Sequence, residues 1–162
     1  MKKLLLLTSL FFVLSCDKDS QDRGAECFPN CPSFLKQLDG KGFVYSDEIS
    51  DQYIFFYDSD IFLKQVEVYY PDLDTYCDSV KRGSNTDDGY NFSAEILNND
   101  PKELYIKISY TDDEGNAISS NYIYREVCNT PSCPELSVRV TQDDGSVKTY
   151  SETSIKHSSL CN

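Results

Sequence analysis

The chain has 162 residues and a formal charge of −12, from 27 acidic and 15 basic side chains. That balance excludes a nucleic-acid partner, because such binding rests on neutralising phosphates with Lys and Arg. It excludes a polybasic grip on anionic lipid as well, and the length suits one domain with a core of its own.

Lys2 and Lys3 precede an apolar stretch from Leu4 to Leu14. A positive head on a short apolar core is the layout of a secretory signal peptide, and the core is shorter than the ~20 residues of a membrane span. Val13, Leu14, Ser15 and Cys16 then follow in the order aliphatic, aliphatic, small, cysteine, which resembles the lipobox of bacterial lipoproteins. The resemblance implies removal of residues 1–15, a diacylglycerol thioether on Cys16 and an acyl chain such as palmitate on its new amine. Membrane lipid is then a partner through acylated Cys16, since several buried chains hold a protein on a bilayer far more firmly than one. Cleavage removes two lysines and no carboxylate, so the charge of −12 becomes −14. Asp17, Asp19 and Asp22 lie in a stretch without apolar residues, read as a solvated tether over residues 16–26. Acids directly after the lipidated cysteine resemble the export signal of surface lipoproteins in Bacteroidota-type Gram-negative bacteria. The implied location is the cell envelope, on the outer membrane and exposed at its surface; an ordinary soluble tether is the plainer reading.

Of seven cysteines, Cys16 is assigned to lipid. Cys27, Cys31, Cys77, Cys128, Cys133 and Cys161 remain, an even set that in an oxidising compartment reads as disulfides. Cys27 with Cys31, and Cys128 with Cys133, would close small local loops; alternatively Cys133 and Cys161 would tie the ends of the last hairpin. The close spacings also fall in the range of zinc sites, and the exported compartment favours disulfides over metal.

Residues 27–162 read as a single β domain. Pro32 to Leu38 predicts one short helix stopped by Gly40. Gln52 to Tyr57 is continuously apolar, as in a strand buried on both faces. Period-two alternation marks strands from Phe62 to Tyr70, Tyr90 to Ile96, Leu104 to Tyr110 and Leu136 to Val140. Asp88-Gly89, Asp112 to Asn116 and Asp144-Gly145 supply hairpin turns, and Asn98 to Pro101 is another turn. The pattern predicts an all-β antiparallel barrel or sandwich of about eight short strands, with residues 135–157 as an extra hairpin beyond Cys128 to Pro134.

Leu38, Asp39, Gly40, Lys41, Gly42 and Phe43 resemble the opening of small bacterial lipocalin-like domains, with Phe43 in the place of a tryptophan. Asn121 to Arg125 resembles the aromatic-x-aromatic-basic ending of such a barrel. The resemblance covers residues 32–127 and implies a non-enzymatic, ligand-binding barrel for a small apolar molecule. An accessory subunit docking to an envelope protein is the alternative.

No catalytic residue is expected. The only histidine, His157, reads as a tail residue with serines beside it, and adjacency in sequence is not a triad. No phosphate-cradling glycine loop or zinc-protease motif is present, so no cofactor or metal is expected, and a small hydrolase is the least favoured reading. Asp112 to Asn116 and Asp58 to Asp60 offer oxygens without the spacing of a calcium loop. The twelve tyrosines and nine phenylalanines supply core and sheet surface first, and ligand contacts second.

Overall fold

The computed structural model describes residues 31–87, 90–112, 114–128 and 136–161. Residues 1–15, Cys16, the tether, Cys27 and Cys133 lie outside these. Helix α1 (Phe34–Gln37) precedes strands β1 (Gly42–Ser46), β2 (Ser50–Phe56), β3 (Ile61–Tyr69), β4 (Thr75–Lys81) and β5 (Gly83–Asp87). Then come β6 (Tyr90–Asp100), β7 (Glu103–Thr111), β8 (Ala117–Cys128), β9 (Leu136–Gln142), β10 (Val147–Thr153) and helix α2 (His157–Leu160).

All ten strands form one antiparallel sheet in the order β4-β3-β2-β1-β10-β9-β8-β7-β6-β5. The chain is an up-and-down meander whose last strand returns to pair with its first, Phe43 opposite Glu152. The result is a nearly closed barrel, open only where β4 and β5 face each other without a hydrogen-bonded ladder. Three expectations change. There are ten strands, not about eight. The hairpin of residues 135–157 is not an appendage, because β9 and β10 bridge β8 and β1. Nor does the barrel end at Asn121 to Arg125, which lie within β8.

Alternation sets the two faces of the wall. Phe43, Ile54, Phe56, Leu63, Val80, Ala94, Leu104, Ile106, Tyr124, Val138 and Tyr150 point inward into one core. One end of that core is closed by α1. Phe34 and Leu35 are fully buried there, and the Phe34 ring meets Phe56 edge-on at 5.5 Å. The Leu35 N–H donates to Asn99 Oδ1 at 3.1 Å, and Gln37 Nε2 donates to the Pro101 carbonyl. A four-residue helix is too short to hold itself; burial of its apolar side chains, each stabilising by about 1.5–3 kcal/mol, holds it.

The outer face of β1–β3 carries a second cluster of Tyr53, Phe55 and Val66, with Val44, Tyr57, Val68, Leu160 and Cys161 against it. The run from Tyr53 to Phe56 is therefore buried on both sides, as its composition predicted. α2 lies over this face and is fastened by a disulfide between Cys77 of β4 and Cys161. That bond overturns the pairing of Cys133 with Cys161. Cys31 is also disulfide-bonded, and Cys128 ends β8. Gly42 makes the close packing possible: a Cβ there would stand 2.6 Å from the Phe55 ring, its cross-strand neighbour.

Candidate functional site

Burial changes along the barrel axis. At the α1 end the apolar inward side chains of Phe43, Phe56, Leu63, Leu104 and Tyr124 are buried; along most strands the inward side chains nearer the other end are half-buried. Phe43 gives way to Tyr45 on β1, Ile54 to Gln52 on β2, and Leu63 to Gln65 and Glu67 on β3. Ile106 gives way to Ile108 on β7, Tyr124 to Tyr122 on β8, Val140 to Gln142 on β9 and Tyr150 to Lys148 on β10. The barrel is a cup whose mouth is lined by aromatic, aliphatic and polar groups together.

The polar groups of the mouth are linked. Lys148 Nζ donates to Gln52 Oε1 at 2.8 Å, and Gln52 Nε2 donates to Glu67 Oε1 at 2.8 Å. One amide thus stands between the cation and the carboxylate. Ser50 Oγ donates to the same Glu67 oxygen at 3.1 Å, and the Tyr150 hydroxyl donates to Gln52 Oε1 at 3.3 Å. Lys148 Nζ lies 5.2 Å from the centre of the Tyr45 ring, within range of a cation–π attraction. Burial, with Glu67 and Tyr45 nearby, pushes the Tyr150 hydroxyl up to about 12, so it stays protonated and remains a donor. At the rim, Asp47 accepts from the backbone N–H groups of Ile49 and Ser50. Those bonds hold its carboxyl below the usual range and fix the β1–β2 turn.

The remaining sequence candidates fall elsewhere. His157 is half-buried in α2, edge-on to Phe55 at 5.6 Å, so it is not the free tail residue expected. Asp112 accepts from the Asn116 side-chain amide and from the backbone N–H groups of Asn116 and Glu114, which lowers its pKa and spends its oxygens on the turn. Among the described residues, no group of three His, Cys, Asp or Glu side chains is placed to hold a metal ion, and no helix is long and apolar enough to cross a membrane. The mouth residues Gln52, Glu67 and Lys148 were not singled out from sequence. The one available signal was Lys148 itself, two residues from Tyr150 and hence on the same inward face.

A second concavity lies on the outer side of the wall. β4 and β5 part from the turn at Arg82, and the groove between them measures about 800 Å³. The turn is stitched by Asn85, which is 5% exposed. Its Oδ1 accepts from the Lys81 N–H, and its Nδ2 donates to the carbonyls of Lys81 and Gly83, at 2.8–2.9 Å.

No protein family, curated protein or solved structure matches the chain.

Proposed function

We propose that the protein is a lipoprotein anchored through Cys16 on the outer membrane, and that its barrel is a non-enzymatic module binding a small amphipathic ligand in its mouth. The observation that carries the ligand reading is the group of half-buried inward side chains that meet at the mouth, Tyr45, Gln52, Ile108, Tyr122 and Lys148. Apolar surface left partly wet in a concave site gains free energy when a ligand covers it. Ile108, Tyr122 and Tyr45 offer that surface. Lys148, whose partner is a neutral amide rather than a carboxylate, favours a ligand ending in an anionic group. The wholly apolar ligand of the lipocalin-like expectation thus gives way to one with an apolar body and a charged end.

Titration of the detergent-solubilised chain with dodecanoate and with dodecanol tests this reading. Dodecanoate is expected to bind saturably and more tightly, with the difference removed in Lys148→Met. Absence of saturable binding of either would sink it. Anchorage has its own test: Cys16→Ser is expected to move the protein from the membrane fraction to the soluble one and to abolish palmitate labelling.

A further inference from the structure

The outer groove at the seam is a second site, with different chemistry from the mouth. Its wall is made of Ser79 and Lys81 on β4, Ser84 and Thr86 on β5, Asn91 and Ser93 on β6, and Ser109 and Thr111 on β7. These are outward positions, opposite in parity to the core residues Val80, Ala94 and Ile108. Ile61, 39% exposed, and Ala117 interrupt the polar lining with apolar surface.

We propose that this groove binds a neutral oligosaccharide. Three observations converge. First, the lining carries one charged side chain, Lys81, in a chain where charged residues make up 26%. Neutral hydrogen-bonding groups therefore dominate, which suits a neutral polyhydroxylated partner. Second, the hydroxyls of Ser79, Ser84, Ser109 and Thr111 have no side-chain hydrogen bond among the described residues. Each can donate and accept at once, as a sugar hydroxyl requires.

Third, these groups stand in a register. Ser84 lies opposite Ser93, Ser93 opposite Ser109, and Ser109 opposite Ser119. Adjacent strands are about 4.8 Å apart, close to the length of one pyranose residue. A row of hydroxyls repeats across the sheet at the period of a linked sugar chain. The volume of about 800 Å³ lies within the range of small-ligand sites, about 300–1,000 Å³. Asn85 holds the floor rigid because both polar ends of its amide are engaged by the turn.

Other ligand classes fit less well. A nucleic acid or polyanion would meet one lysine, and electrostatic affinity grows with the number of phosphates neutralised. A lipid would need a lining mostly apolar, which the groove does not offer. An extended peptide could add to the free edges of β4 or β5, but that mode uses backbone groups and leaves the outward hydroxyls idle.

The test uses the full chain, solubilised in a detergent without a sugar headgroup. It is screened on an array of neutral and acidic glycans, then titrated with maltohexaose, cellohexaose and laminarihexaose while backbone amide shifts are followed. Saturable binding of at least one neutral oligosaccharide is expected, with shifts on residues of β4 to β7 around Ser79, Ser93 and Ser109. The pair Ser93→Val with Ser109→Val should weaken it about tenfold, the scale of one or two lost contacts. Lys81→Gln and Lys148→Met should leave it within about twofold, the latter separating this site from the mouth.

Three results would overturn the proposal: no saturable binding of any neutral glycan, shifts confined to the mouth, or binding of acidic glycans alone that falls with Lys81→Gln. Binding of an extended peptide at the seam with no sugar response would assign the groove to β-strand addition instead. The shift map on the unaltered protein decides the matter even if a variant fails to fold.

Discussion

Two stretches of the barrel's outer wall show opposite solutions to the same problem. The outer face of β1–β3 carries Tyr53, Phe55 and Val66 and is covered by α2. The outer face of β5–β7 carries Ser84, Thr86, Ser93 and Ser109, and no helix among the described residues lies over it. A strand face that is apolar must be covered, and one left in water must be polar. Here the choice was made separately for each sector of one continuous sheet. The covered sector is where stability is concentrated, and the bare one is where a ligand can approach without displacing anything.

The largest test of that division is Phe55→Ala. Phe55 is 2% exposed and packs against Gly42 and His157, so truncation leaves a cavity and should cost about 3–5 kcal/mol. Its counterpart on the bare sector, Ser109→Ala, should stay within about 0.5 kcal/mol. Urea unfolding midpoints of the two variants measure the contrast directly. Equal losses would mean that the outer face of β1–β3 is not a working core.

The next effect is that of the fastening. Cys77 and Cys161 are 84 residues apart in sequence, so their bond removes much freedom from the unfolded chain. Replacing both by Ser should cost about 2–4 kcal/mol and lower the melting temperature by roughly 10 °C. The same variant should bind a hydrophobic dye more strongly, because α2 then covers Phe55 only by its own weak packing. Added to Phe55→Ala, the loss should fall short of the sum, since both changes act on one patch. Full additivity would show that the disulfide and the patch are independent.

Between the two sectors lies the seam, and Asn85 is its latch. Asn85→Ala should cost about 1 kcal/mol, because two carbonyls and an N–H of the part-buried turn lose their partner. Hydrogen exchange is expected to accelerate at Lys81 and Arg82 while amides in β9 and β10 stay protected. Uniform acceleration would indicate that the seam is no weaker than the rest of the barrel.

These contrasts follow the pattern of what the sequence could and could not reveal. Strands β3, β6, β7 and β9 were visible because one face is apolar and the other polar, so alternation survives in the text of the chain. The continuous apolar run of β2 announced burial on both faces, although not that the cover would come from residues 157–161. β4 and β5 were not singled out. Tyr76 and Asp78 are inward yet lie near the mouth, and β5 contributes only Gly83 and Asn85 to the inside, so neither strand shows an apolar period. Closure of β10 on β1 and the pairing of Cys77 with Cys161 depend on which strands meet, a long-range fact that local pattern does not contain. The groove was invisible for the same reason: Ser84, Ser93 and Ser109 are ordinary outward serines until three strands set them side by side. Lys148 carried a faint signal as a charged residue on an inward row.

The smallest expected effect concerns His157, at the centre of the covered sector. Its imidazole lies against Phe55, and burial, with Lys64 nearby, holds its pKa below the ordinary 6.5. A histidine with a depressed pKa is neutral in the fold and takes up a proton more readily in the unfolded chain. Its contribution to stability is therefore complete above pH 6.5 and is lost as pH falls through 6.5 towards the folded-state value. The pH dependence of the urea midpoint should show a shallow fall between about pH 7 and pH 5.5 that disappears in His157→Gln. The bare sector holds no histidine, so amide exchange in β6 and β7 should not follow this fall, whereas exchange in β2 and β3 should. A fall that persists in His157→Gln would show that His157 is not its source. It would then leave α2 with a purely apolar hold on the barrel.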